Sequence, residues 1–125
     1  MLEEYIDEEN HLTVHVFTGV VLAKDIVEAV KAQSASGPTL HNLWDLTDAD
    51  MSRITNDDIQ EIALLVKQAA PKGRTGRTAI VSASDLGFGI GRAYSTLAEL
   101  FGQSVEVQSF RSQQAAKEWI SEFPG

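Results

Sequence analysis

The sequence predicts an α/β fold of order β-β-α-β-α-β-α-β-α, a five-stranded, mostly parallel sheet with an antiparallel edge strand and four helices. Three observations carry that reading. Short apolar runs alternate with longer segments whose apolar residues recur every three or four positions, the two periodicities of strand and helix. Glycine, proline and small polar residues punctuate the boundaries. The chain has 125 residues, 43% apolar and 22% charged, which suits one hydrophobic core, so residues 1–125 are expected to form a single domain.

A short first strand is expected at Glu4 to Asp7, pairing across Glu8-Glu9-Asn10 with a second from His11 to Thr18, where Val14, Val16 and Phe17 supply β-branched and aromatic character. Gly19 breaks that run. Leu22, Ile26, Ala29 and Val30 then fall at helical spacing, and Ser34-Ala35-Ser36-Gly37-Pro38 ends the helix. Leu40 to Leu46, with Leu43 and Trp44, reads as a buried strand. Thr55 is placed to cap the next helix with Asp58 three residues on, and Ile59, Ile62, Ala63 and Val66 form its buried stripe until Pro71 stops it. Thr78 to Val81 is a fourth strand. Ser84 and Asp85 open a third helix whose Leu86, Ile90, Ala93, Leu97 and Phe101 trace one face up to Gly102. Val105, Val107 and Phe110 alternate as the last strand, Ser112 is a credible cap, and Ala116, Trp119, Ile120 and Phe123 form the final apolar face. Strands joined by helices imply right-handed crossovers and a parallel sheet.

Charge and composition exclude several function classes. A net charge of −8 repels phosphate backbones, so nucleic acid is not an expected partner. No apolar run approaches the roughly 18 residues of a membrane span, and Met1-Leu2-Glu3-Glu4 lacks the basic patch and apolar stretch of a signal peptide, so membrane insertion is not expected and the location is read as cytoplasmic. The absence of cysteine removes thiolate nucleophiles and thiolate metal sites. Lys67, Lys72, Arg74 and Arg77 gather around a turn containing Pro71, Gly73 and Gly76 and are read as a solvated loop.

Motifs that could carry chemistry are weak. Gly87-Phe88-Gly89-Ile90-Gly91-Arg92 has the wrong spacing for a dinucleotide fingerprint; Gly87 and Gly91, four apart, instead flatten one side of a helix for close approach by a strand or a second subunit. Asp45, Asp48 and Asp50 stand at or just after the end of a central strand, where α/β sheets often place ligands, but no calcium-loop pattern accompanies them and they read as a solvated acidic loop with capping aspartates. His11, His15 and His41 show no metal spacing, and His15 is expected to face out or make one hydrogen bond. There is no Gly-x-Ser-x-Gly elbow. No catalytic residue, metal site or cofactor is assigned, and the chain is expected not to be an enzyme.

Leu43-Trp44-Asp45-Leu46, Ser84-Asp85-Leu86-Gly87-Phe88-Gly89 leading to Arg92, and Phe110-Arg111 followed by Ala115-Ala116-Lys117-Glu118-Trp119-Ile120, taken in this order, resemble the SpoIIAA-like family of STAS domains. That family is related in fold to bacterial anti-sigma-factor antagonists and to the core of CRAL-TRIO lipid-binding domains. The resemblance implies a STAS-like fold and a regulatory or protein-interaction module with a regulatory protein partner. Phosphorylatable members carry Asp-Ser-Ser/Thr-Gly where a helix begins. Here the equivalent stretch runs from Asp50 to Asp58 and departs from that pattern, leaving Ser52 and Thr55 as the only phosphoacceptor candidates. The alternative function is binding of a small apolar ligand or lipid, motivated by Phe88, Tyr94, Phe101 and Trp119 and by the lipid-transfer branch. Asp45, Gly87, Phe88, Gly91, Arg92 and Tyr94 are the candidate ligand or interface residues. A homodimer is expected through the glycine-bearing helix, because Leu86, Ile90, Ala93 and Leu97 are assigned to the sheet while Phe88, Tyr94, Ala98 and Phe101 spread beyond it.

Overall fold

The computed structural model describes residues 1–37, 39–69 and 74–124. Strands β1 (Leu2–Asp7) and β2 (Leu12–Val20) form an antiparallel hairpin in which Leu2 pairs with Phe17 and Asp7 with Leu12. The turn between them is closed by Asp7, whose carboxylate accepts from the Asn10 backbone N–H at 3.2 Å and from Asn10 Nδ2 at 2.8 Å. Those bonds, the side-chain one first, hold the Asp7 carboxyl below its usual range. Strands β3 (His41–Asp50), β4 (Arg77–Val81) and β5 (Glu106–Phe110) follow in parallel, giving the sheet order β1-β2-β3-β4-β5.

Because each parallel strand is added on the same side, right-handed crossovers put α1 (Ala23–Ser36), α2 (Asn56–Ala69) and α3 (Asp85–Leu100) on one face of the sheet. Helix α4 (Gln113–Ser121) returns across the other. The two-residue period of the strands divides the core accordingly. Leu12, Val14, Leu43, Ala79 and Val81 pack with Ala116 and Ile120 of α4. Their strand neighbours Phe17, Trp44, Leu46 and Ile80 point the opposite way, toward Ala29, Val21 and Met51.

The element order is the one expected, and the boundaries differ in instructive ways. β2 runs through Gly19, which adopts φ of 76° inside the strand and does not end it. β3 extends to Asp50, four residues past the expected end, because a register shift against β2 between Val16 and Thr18 lets the two strands continue pairing beyond β4. Helix α1 lasts to Ser36; Pro38 and Pro71, each expected to mark a helix end, lie outside the described residues. The caps agree with the sequence. Thr55 and Asp58 form a reciprocal box, Asp58 N–H donating to Thr55 Oγ1 at 3.1 Å and Thr55 N–H to Asp58 Oδ2 at 2.9 Å. Ser84 accepts from Gly87 N–H and Ser112 from Ala115 N–H.

Helix α3 departs most from expectation. Its sheet-facing side is Gly87, Ile90, Gly91, Tyr94 and Ala98, whereas Leu86, assigned to that face, is 54% exposed. The two glycines explain the rotation. A β-carbon at Gly87 would stand 2.0 Å from Ser82 Oγ, and one at Gly91 would stand 2.7 Å from Ser109 Oγ and 3.1 Å from Ile80 Cγ2. The helix thus presents its smallest side to β4 and β5 and sits closer than a Leu-faced helix can. Of the two readings of the glycines, the close neighbour is a strand.

Candidate functional site

Helix α2 packs on α1 and α3 more than on the strands beneath it, and the space left under the helical layer is a cavity of about 370 Å³. Its floor comes from alternate residues of the sheet: Phe17 of β2, Asn42, Trp44 and Leu46 of β3, Thr78 and Ile80 of β4. Its roof comes from Ile26 and Val30 of α1, Ile59, Ile62 and Val66 of α2, and Ile90 and Tyr94 of α3. A space of this size bounded mostly by apolar side chains, with few polar groups, is the usual form of a small-molecule site.

The lining changes character along the strands. Toward the C-terminal ends of β2 and β3 it is wholly apolar and closed, with Phe17, Leu46, Met51 and Ile59 all buried. Toward the N-terminal ends of the strands lie Gln33, Ser34, Asn42, Lys67, Arg74, Gln103 and Ser104, and here Ser34, Lys67, Gly102 and Ser104 are exposed, which marks the opening. Arg74 is half-buried there. Its Nη2 donates to the Thr39 carbonyl at 3.0 Å, and burial draws the guanidinium pKa below the usual arginine value. Burial likewise pushes the Tyr94 phenol up to about 12, against a smaller opposing effect of Gln103. Tyr94 is therefore a neutral hydroxyl in the roof.

A buried polar chain backs this end of the cavity. His15 is fully buried, stacked on Trp44 with ring centroids 3.8 Å apart at 11°, and bonded at both ring nitrogens, Nδ1 to the Glu4 carboxylate and Nε2 to the Asn42 amide at 3.1 Å. Gln33 Nε2 donates to Asn42 Oδ1. His15 does not face out and makes two hydrogen bonds: its cross-strand partner Glu4 on β1 bonds one ring nitrogen, Asn42 bonds the other and is held by Gln33 of α1, and its partner on β3, Trp44, stacks on its ring. Nothing in the local sequence signals this, since the partners come from three other elements.

The remaining candidates scatter. Tyr94 and Gly91 line the cavity. Gly87 abuts Ser82. Phe88 lies at the start of α3 with the Arg111 guanidinium 4.2 Å above its ring, and Arg92 is exposed on α3 outside the cavity. Asp45 points to the α4 face, where Oδ1 accepts from Thr47 N–H at 3.0 Å and Oδ2 accepts from Gln113 Nε2 at 2.9 Å, tying β3 to α4. Asp50 caps the next turn by accepting from Ser52 N–H at 2.9 Å, and the Ser52 bonds hold its carboxyl below the usual range. Ser52 is exposed in that turn, and Thr55 is exposed but committed to its cap.

The described members of the basic cluster do not share one solvated loop. Lys72, with Pro71 and Gly73, lies outside the described residues; Lys67 and Arg74 line the cavity; and Arg77 turns to the opposite face, its guanidinium 4.7 Å from the Trp119 ring centroid. Of the aromatics expected to meet a ligand, Phe88, Tyr94, Phe101 and Trp119, only Tyr94 lines the cavity. Trp119 packs in the core on the α4 side, and the cavity's other rings, Phe17 and Trp44, are strand residues.

No family model matches the sequence, and no curated protein matches it. Solved structures resemble the fold, among them the following two. An uncharacterized protein of the DUF3478 family with a SpoIIAA-like fold, from Shewanella loihica, aligns with a TM-score of 0.58 at 18% identity over 96% of this chain and 92% of its own. The anti-sigma factor antagonist SpoIIAA in its unphosphorylated form aligns with a TM-score of 0.51 at 12% identity over 98% of this chain and 100% of its own.

Proposed function

We propose that this chain, which has the SpoIIAA-like fold, is a non-catalytic binding module that holds a small apolar ligand between its three-helix layer and its sheet. The cavity of about 370 Å³ carries this reading. A core packed to ordinary density has few voids larger than a water molecule, and this one is bounded by side chains from the sheet and from all three helices. An occupant would recover the dispersion contacts its lining lacks. The test is binding of the neutral apolar dye Nile red, with native mass spectrometry of protein purified from its own host. The reading predicts saturable binding near one dye per chain, lost in Ile62→Trp, which fills the space from α2, while thermal melting shows that variant folded. Equal binding by wild type and the filled variant would place the dye elsewhere and remove the proposal.

A protein-interaction role of the STAS type rests on a different observation. Ser52 is exposed in the turn that leads into α2, in the stretch equivalent by position to the phosphorylated segment of such modules, whose Asp-Ser-Ser/Thr-Gly pattern it lacks. A phosphate added there, just ahead of Asn56 in sequence, would gain from the positive end of α2, while Asp50, Asp57 and Asp58 would oppose it. Affinity capture from the native host with Ser52→Asp and Ser52→Ala baits tests this reading. A partner held by one and released by the other supports it, and identical captures count against it.

A further inference from the structure

We propose that the ligand is a single-chain amphiphile with a carboxylate head, its chain inside the cavity and its head at the Arg74 end. This deepens the apolar-ligand reading and rests on it. The polar and apolar linings are segregated lengthwise: Phe17, Met51 and Ile59 close one end, and Asn42, Lys67 and Arg74 stand at the other. A wholly apolar ligand has no use for such a division, whereas an amphiphile matches it.

The charge at the polar end selects the head group. Acidic residues outnumber basic ones 18 to 10 in this chain, yet the described lining contains two cations and no aspartate or glutamate. Arg74 is withdrawn from water, donates to a neutral backbone carbonyl, and among the described residues has no carboxylate within ion-pair distance. A desolvated cation is costly unless an anion compensates it. A guanidinium offers five donors in a planar fork that fits a carboxylate through two parallel bonds, and one bond to Thr39 leaves most of that fork unused. The volume sets the chain count. About 370 Å³ lies at the small end of the range for ligand sites, room for one unbranched chain and not for a two-chain lipid.

Calorimetric titration of the full chain with dodecanoate, dodecanol and dodecyltrimethylammonium tests the assignment. Dodecanoate is expected to bind about tenfold or more tightly than dodecanol, the size of a charge-assisted bond, and the cationic amphiphile more weakly than either. Arg74→Gln should abolish the preference for the acid while leaving dodecanol affinity unchanged, and Arg74→Lys should restore part of it. Equal binding of acid and alcohol by the wild type overturns the carboxylate head and leaves the apolar-ligand reading standing. Failure of all three to bind overturns both. The wild-type comparison decides the matter even if an Arg74 variant does not fold.

Discussion

The close approach of α3 to the sheet makes opposite predictions for two glycines only two residues apart. Both lie inside the helix, where glycine costs about 1 kcal/mol relative to alanine through backbone entropy. At Gly89 a new β-carbon meets nothing within 4 Å, so Gly89→Ala should realise that gain and stabilise the fold by about 0.5–1 kcal/mol. At Gly87 the same methyl would fall 2.0 Å from Ser82 Oγ and 2.9 Å from Ser82 Cβ, with Ser84 Oγ at 3.1 Å. Rotating Ser82 removes the first clash but not the second, because its β-carbon is fixed to the backbone at the end of β4. The helix start must therefore move. Such overpacking costs about 1–3 kcal/mol, and displacing the Ser84 cap from Gly87 N–H adds about 1 kcal/mol. Against the propensity gain, Gly87→Ala should destabilise by about 1–3 kcal/mol. Urea unfolding of wild type and both variants measures this. If the two substitutions shift the midpoint in the same direction by similar amounts, α3 does not dock through its glycine side.

His41 supplies a pH prediction. It is buried, its Nδ1 accepts from Arg77 N–H at 2.9 Å, and burial first, then the nearby Arg77, His11 and Arg74, lower its pKa below the ordinary 6.5. The unfolded chain binds the proton more readily, so the stability this group contributes is fully present above about pH 6.5 and is lost as pH falls below it. His41→Asn, which keeps an acceptor, should flatten the loss seen in urea midpoints as pH falls below about 6.5; an unchanged slope would contradict this. Thr55→Ala removes the α2 capping box and should cost about 1 kcal/mol by the same measurement, with no change refuting the cap. We also propose a homodimer through α3, now on Leu86, Phe88 and Leu100, since Tyr94 and Ala98 are used inside the fold. Phe88→Asp should weaken association by about 2 kcal/mol in sedimentation equilibrium, and a monomeric wild type at tens of micromolar ends that idea.

What the sequence makes legible follows from the range of the forces involved. Element order, the hairpin and the caps at Thr55, Ser84 and Ser112 are set by residues within three or four positions of one another, and each is where the pattern puts it. Helix phase is less local. The apolar spacing of α3 alone favours Leu86, Ile90, Ala93 and Leu97, and only the proximity of Ser82 and Ile80 makes the glycine side the better one. The cavity is less local still. Its lining joins β2, β3 and β4 to α1, α2 and α3, and a void is a property of how far helices stand from strands, which composition does not encode.

Part of that cavity was nevertheless within reach of the strand period. Once Leu43 is assigned inward against α4, alternation puts Asn42, Trp44 and Leu46 on the opposite face of β3, beneath the helices. Asn42 is then a polar residue on a face otherwise made of Phe17, Trp44, Leu46 and Ile80. A buried amide needs partners, and the local chain offers none. The structure supplies His15 and Gln33, and through His15 the exposed-edge residue Glu4. That chain fixes the polar end of the cavity from below, as Arg74 and Lys67 edge it from α2 and the approach to β4. Removing its central amide would therefore disturb the head of a bound amphiphile and not its tail. Asn42→Val, similar in size but without the amide, should reduce binding of a polar-headed amphiphile while leaving Nile red binding intact. Loss of both would mean that Asn42 shapes the whole cavity, and the division of the lining into head and tail ends would have to be abandoned.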